Sequence, residues 1–77
     1  MKIYVGNLHG KASGKGLYDL FIAFGYVLFI EMRKDVSGRS SGYAYVYLKE
    51  NNDGRSAIQQ LNGINFMNQF LDIYEVH

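Results

Sequence analysis

Alternation with period two in two short stretches limits what this chain can fold into more than any other feature. Ile3-Tyr4-Val5-Gly6-Asn7-Leu8 and Gly42-Tyr43-Ala44-Tyr45-Val46-Tyr47-Leu48 each place successive side chains on opposite faces of an extended strand. In the second, Ala44, Val46 and Leu48 share one face while Tyr43, Tyr45 and Tyr47 share the other. In the first, Ile3 and Val5 oppose Lys2, Tyr4 and Gly6. The aliphatic sides are the natural core, which leaves the tyrosine sides open. A contiguous exposed aromatic patch marks a binding surface. Flat rings on a rigid sheet suit unstacked nucleic-acid bases.

The segments around these strands complete the pattern. His9 to Gly16 is rich in glycine and lysine and reads as a loop. Leu17, Leu20, Phe21 and Phe24 recur at i, i+3, i+4 and i+7, one face of a first helix, and Gly25 stands where a helix C-terminal glycine belongs. Tyr26 to Lys34 alternates as a second strand, with Val27, Ile30 and Met32 as core candidates. Its register slips between Val27 and Ile30, so the strand proper is expected after Leu28. Asp35 to Ser41 is a polar turn, and Tyr43 to Leu48 is the third strand. A second helix is expected from Asn52 to Leu61, ended by Asn62-Gly63. A last strand is expected from Phe70 to Val76, with Leu71 and Ile73 inward. The order β-α-β-β-α-β implies an α+β sandwich: a four-stranded antiparallel sheet with both helices on one face. The first and third strands are then central, and the face that carries the tyrosines has no helix to cover it.

Size and composition narrow the function classes. A chain of 77 residues is expected to be one domain, spanning residues 1–77. Hydrophobic residues at 48% are too many for a disordered segment. With no cysteine, disulfides and thiolate metal sites are excluded, and the two histidines, His9 and His77, carry no ligand spacing, so no metal or cofactor is expected. No apolar run reaches the 20 or so residues that span a bilayer, and the N-terminus enters a strand directly. The expectation is a soluble, intracellular protein without a membrane, cytoplasmic or, in a eukaryote, nuclear. A net charge of +1 is a modest prior for nucleic acid, but Lys11, Lys15, Lys34 and Arg39 fall in or beside two loops and form a mildly basic end.

The two strands resemble the paired motifs of the RNA recognition motif family. Ile3 to Leu8 matches the short motif throughout. Ser41 to Leu48 matches the eight-residue motif at Gly42, Tyr43, Ala44, Tyr45 and Val46. The helix segments Leu17 to Val27 and Ala57 to Gly63 resemble the family's helices and their exits, so the resemblance covers nearly the whole chain. It implies a ferredoxin-like βαββαβ fold that binds single-stranded RNA, or single-stranded DNA, as a monomer. By position it implies stacking by Tyr4, Tyr43 and Tyr45. Lys2, Asn7, Arg33, Arg39 and Tyr74 are expected to support RNA binding. Tyr47 and Tyr74 share the face by parity and also read as surface packing. Ser41 stands where the family usually has Lys or Arg, and Arg39 is its nearest substitute. Gly54 stands where alanine is usual.

Other chemistries fit poorly. Gly10, Gly14 and Lys15 lack the spacing and the following Ser or Thr of a Walker loop. Glu31 and Asp72 fall on the open face but on opposite edge strands, too far apart to share a proton, so no catalytic residue is assigned. An acylphosphatase-type enzyme shares the element order but needs an arginine in the first loop, which holds only Lys11 and Lys15. The alternative function is a protein-interaction module, with Tyr18 and Ile22 on the outer side of the first helix as the contact.

Overall fold

A computed structural model describes all 77 residues. The chain runs β1 (Lys2–Gly6), α1 (Gly14–Phe21), β2 (Val27–Lys34), β3 (Ser40–Leu48), α2 (Asn51–Leu61), β4 (Asn65–Phe66), β5 (Gln69–Phe70) and β6 (Asp72–Val76). Strands β2-β3-β1-β6 form one antiparallel sheet in that order, and β4 and β5 form a separate small hairpin. The central pair is β1 with β3, in the register Ile3↔Val46, Tyr4↔Tyr45 and Val5↔Ala44. That register puts Ile3, Val5, Ala44, Val46 and Leu48 in one buried cluster with Leu17 and Phe21 of α1 and Ala57 and Leu61 of α2. Both helices therefore cover the aliphatic face, and the other face stays open.

Helix α1 starts earlier and ends sooner than its periodicity predicts. The Ser13 hydroxyl accepts a hydrogen bond from the Gly16 N–H at 3.1 Å, so this cap draws Gly14 and Gly16 into the first turn. The helix closes at Phe21, and a turn follows in which the Phe24 N–H donates to the Phe21 carbonyl. Leu17 and Phe21 are fully buried, while Leu20 and Phe24 pack on the core from its edge. Gly25 is not in a left-handed conformation. Its requirement is space, because a Cβ there would lie 2.6 Å from the carboxyl carbon of Asp53.

Strand β2 absorbs its register slip instead of starting after it. Val27 pairs with Leu48 and Phe29 with Tyr47, so Leu28 is one extra residue, a β-bulge. Val27 and Ile30 both pack against the core as a result, and Phe29 turns to the open face. Nearer the turn, Arg33 alone faces Ser41, Gly42 and Tyr43, between the pairs Met32↔Ala44 and Lys34↔Ser40. Gly42 takes φ +93 there, a conformation that side-chain-bearing residues rarely adopt, and its carbonyl accepts the Leu8 N–H at 2.8 Å.

The segment after α2 holds the element that periodicity did not predict. Gly63 leaves the helix at φ +84, and the Asn62 side chain accepts the Ile73 N–H at 2.9 Å. Asn65–Phe66 and Gln69–Phe70 then pair around Met67 and Asn68, both left-handed, as a tight hairpin turn requires. The last strand thus begins at Asp72 and not at Phe70, with Leu71 and Ile73 inward as expected.

The space at Gly54 is already filled. A Cβ there would come within 3.2 Å of Met1 Cγ and closer still to its sulfur. Met1 is held in place because its amino group donates to the Leu48 carbonyl at 2.7 Å. The alanine that is usual at this position would gain helix propensity but displace Met1.

Phe21 is the largest fully buried side chain, so Phe21→Ala tests whether this core carries the fold. Truncating a buried Phe costs about 3–5 kcal/mol, a large part of the roughly 5–15 kcal/mol that holds an ordinary domain together. The variant is expected to lose its cooperative urea transition at 37 °C, read by circular dichroism. A midpoint near that of the parent would show the core to be centred elsewhere.

Candidate nucleic-acid interface

Three rows of side chains cross the open face, because pairing on both sides of β1 aligns alternate residues. The middle row is Glu31, Tyr45, Tyr4 and Tyr74, from β2 to β6. One row above it holds Phe29, Tyr47, Lys2 and Val76. The row below holds Tyr43, Gly6 and Asp72 on β3, β1 and β6, with Arg33 at the β2 edge.

Tyr4 is the hub of this face. Its ring centroid lies 6.0 Å from both Tyr43 and Tyr45, and those two are 6.0 Å from each other. Tyr4 and Tyr43 are near parallel at 23°, whereas Tyr45 meets both edge-on, at 64° and 82°. Tyr74 lies closer still, stacked against Tyr4 at 4.6 Å. The Tyr4 ring lies down over Gly6: a Cβ on Gly6 would sit 2.7 Å from the ring carbon Cζ. A side chain at position 6 would lift the ring off the sheet. Burial among these rings, and then the neighbouring Tyr74 and Asp72, push the Tyr4 hydroxyl above its ordinary pKa of 10.0. The Tyr4 phenol therefore keeps its proton to higher pH than a free tyrosine does.

Cations border the rings. Lys2 Nζ stands 4.4 Å from the Tyr45 centroid and 5.8 Å from that of Tyr47. The Arg33 guanidinium lies 5.6 Å from the Tyr45 centroid and 3.6 Å from the Glu31 carboxylate. Both contacts are at exposed or half-exposed sites, where such attractions are weak and leave the side chains free to move.

Arg39 lies apart from the rings. With Lys11 and Lys34 it lines a cleft of about 410 Å³ between the β1–α1 loop and the β2–β3 turn. The two loops are joined by the Ser40 N–H, which donates to the Gly10 carbonyl at 3.2 Å. None of the three cations is ion-paired. The nearby Asp35 is bound to its own turn: the Ser37 hydroxyl donates to it at 2.7 Å and the Ser37 and Arg39 N–H groups also donate. The Ser37 hydroxyl, followed by those backbone donors, lowers its pKa.

Asn7 is already engaged. It adopts φ 60, its amide donates to the Phe70 carbonyl at 2.8 Å, and the Gln69 amide donates to the Asn7 carbonyl at 2.7 Å. It ties the end of β1 to the β4–β5 hairpin. The structure thus gathers Lys2, Tyr4, Arg33, Tyr43, Tyr45 and Tyr74 on one face, places Arg39 at its basic end, and makes Asn7 a brace. Phe29 and Gly6 also belong to this face; alternation put Gly6 there, and Phe29 too once the strand is counted from Ile30, but neither was given a role from the sequence. The role of Gly6 is visible only once the Tyr4 ring is placed. Glu31 and Asp72 lie on the two edge strands, three strand spacings or about 14 Å apart, so no carboxylate pair forms.

Residues 3–72 match the family described as RNA recognition motif. This chain belongs to that family. A polyadenylate-binding protein, cytoplasmic and nuclear, from Candida glabrata is 39% identical over 62 residues, which is 80% of this chain and 11% of that protein. The chain thus spans about a tenth of that relative's length. Among solved structures, the RNA binding protein PG1 superposes with a TM-score of 0.95 at 34% identity, covering 99% of this chain and 93% of that one. An Sxl-lethal protein/RNA complex superposes with a TM-score of 0.93 at 31% identity, covering 99% and 46%.

The raised Tyr4 pKa makes an alkaline prediction. Folding holds the Tyr4 proton more tightly than the unfolded chain does, so its contribution to stability is complete below pH 10.0 and is lost as pH rises through the higher folded value. Urea unfolding between pH 9 and 12 is expected to show a loss of stability that Tyr4→Phe reduces. An identical alkaline profile in the two proteins would place the loss elsewhere.

Proposed function

We propose that this domain, taken as one unit over residues 1–77, binds single-stranded RNA on the open sheet face. Tyr4, Tyr43 and Tyr45 stack two or three bases. The observation that carries this reading is the triangle of three rings, 6.0 Å apart, on a face that no helix covers. Family membership supports it, as does the likeness to a protein that was solved as an RNA complex. Lys2 and Arg33 sit beside Tyr45 and would swing to phosphates as a base takes the ring face. Arg39, with its cleft partners, holds the backbone at the loop end. Tyr74 supports Tyr4 from behind, and Asn7 acts by fixing the strand end. The domain works as a monomer inside the cell, as a binding module and not as an enzyme.

A protein contact is the second reading, and one observation favours it. Tyr18, Ile22, Tyr26 and Leu28 are 41%, 46%, 67% and 53% exposed on the flank of α1 and the neighbouring β2 edge. This flank lies away from the tyrosine rings, so the two readings separate by mutation. Tyr4→Ala, Tyr43→Ala and Tyr45→Ala are each expected to weaken RNA binding by about 1–3 kcal/mol, the worth of one base–aromatic stack, whereas Tyr18→Ala leaves it unchanged. Equal losses from all four would indicate general destabilisation. Silence of the three sheet variants would end the stacking reading, and a tight dimer in sedimentation would favour the protein contact.

Charge gives an independent check. Each phosphate neutralised on a single strand adds about −0.7 to the slope of log K against log salt. Three to five cations along this path predict a slope of about −2 to −3.5 by that rule. Arg39→Ala is expected to flatten it by about 0.7 and leave base preference intact. A slope steeper than about −5 would reveal a phosphate track outside the residues named here.

A further inference from the structure

Phe29 and Tyr47 stand on the open face one row beyond the triangle. Their rings are stacked, with centroids 4.1 Å apart and planes at 19°, and Phe29 is 55% exposed. The Leu28 bulge is what puts Phe29 there. With regular alternation from Val27, Leu28 would face outward and Phe29 inward. The extra residue lets both Val27 and Ile30 stay on the core side while Phe29 joins Tyr47. A bulge interrupts the sheet ladder, and such interruptions commonly aim a side chain at a site. A cross-strand aromatic pair also steadies a sheet, which accounts for Tyr47. It does not account for an exposed Phe, which has no polar group to satisfy in water.

We propose that Phe29 and Tyr47 form a second stacking platform, which takes one further base of the same RNA strand. This rests on the reading that Tyr4, Tyr43 and Tyr45 stack bases, and it extends the footprint toward the β2 edge. Tyr45 and Tyr47 are two residues apart on β3, a separation of about 7 Å, so the two platforms suit neighbouring nucleotides. Lys2 lies between them, with its ammonium near both the Tyr45 and the Tyr47 rings, and is placed for the phosphate that links the two nucleotides.

Length dependence separates this platform from the triangle. Random single-stranded RNA pools of three and six nucleotides are titrated into the domain and followed by amide chemical shifts. Phe29→Ala is expected to weaken the six-nucleotide pool about five- to 150-fold, the range of one lost stack, and to change the three-nucleotide pool less than about twofold. Phe29→Ile keeps an apolar, strand-forming side chain without a ring and is expected to lose as much. Equal losses on both pools would mean that Phe29 acts through the sheet, and retention of affinity by Phe29→Ile would mean that no base stacks there; either result overturns the proposal. Tyr4→Ala is measured alongside. If Tyr4→Ala weakens both pools while Phe29→Ala weakens neither, the second platform fails and the triangle stands; if Tyr4→Ala weakens neither pool, the triangle fails and the platform falls with it as an extension of that footprint.

Discussion

The register between β1 and β3 is the constraint on which the rest depends. Side chains alternate along a strand, so a slip of one residue would send Tyr43, Tyr45 and Tyr47 into the core and turn Ala44, Val46 and Leu48 to water. The aliphatic side holds the register, since Ile3, Val5, Ala44, Val46 and Leu48 are all fully buried against the two helices. The binding face is thus positioned by residues that never touch a ligand. Tyr4 faces Tyr45, and Gly6 faces Tyr43, because Ile3 faces Val46 and Val5 faces Ala44. Core packing and site geometry are two sides of one pairing.

This coupling explains how much was legible in the sequence. Period two is a property of local backbone, so the central strands, their faces and the aromatic cluster could be read from residues 3–8 and 42–48. The first helix showed its buried stripe for the same reason. Its ends did not follow the stripe, because caps and tertiary turns decide ends: Ser13 pulled the start back to Gly14, and the Phe21–Phe24 turn closed the helix early. The β4–β5 hairpin escaped because Met67 and Asn68 replace the glycine that usually announces such a turn. The slip at Leu28 was legible, but not that the strand carries on through it as a bulge that keeps Val27 paired with Leu48. The bracing hydrogen bonds of Asn7 to Phe70 and Gln69 span more than sixty residues, beyond any local pattern.

Charge plays a secondary part in this domain. The net charge is only +1, and the cations are divided between the ring face and the loop cleft. Glu31 and Asp72 mark the two edges of the face. A carboxylate repels the phosphate backbone and accepts a hydrogen bond from a base amino group. In the proposed binding mode, the two keep phosphates off the ends of the lower rows and leave the ring faces open to bases. In the binding mode proposed above, affinity rests on stacking, and the electrostatics act chiefly on where the strand runs.

Stacking of this kind rewards rings that are already in place, since ordering a side chain on binding reduces the gain. The contacts around Tyr4 do that ordering in advance. Gly6 leaves room for the ring to lie over β1, Tyr74 supports one side, and Tyr43 and Tyr45 bound the other. The same enclosure raises the hydroxyl pKa, so the Tyr4 ring holds its proton beyond the ordinary tyrosine range. Rigidity and neutrality at the hub thus share one cause, the crowding of four tyrosines around a glycine. That glycine is therefore as much a part of the proposed binding surface as the rings, although it has no side chain with which to touch a base.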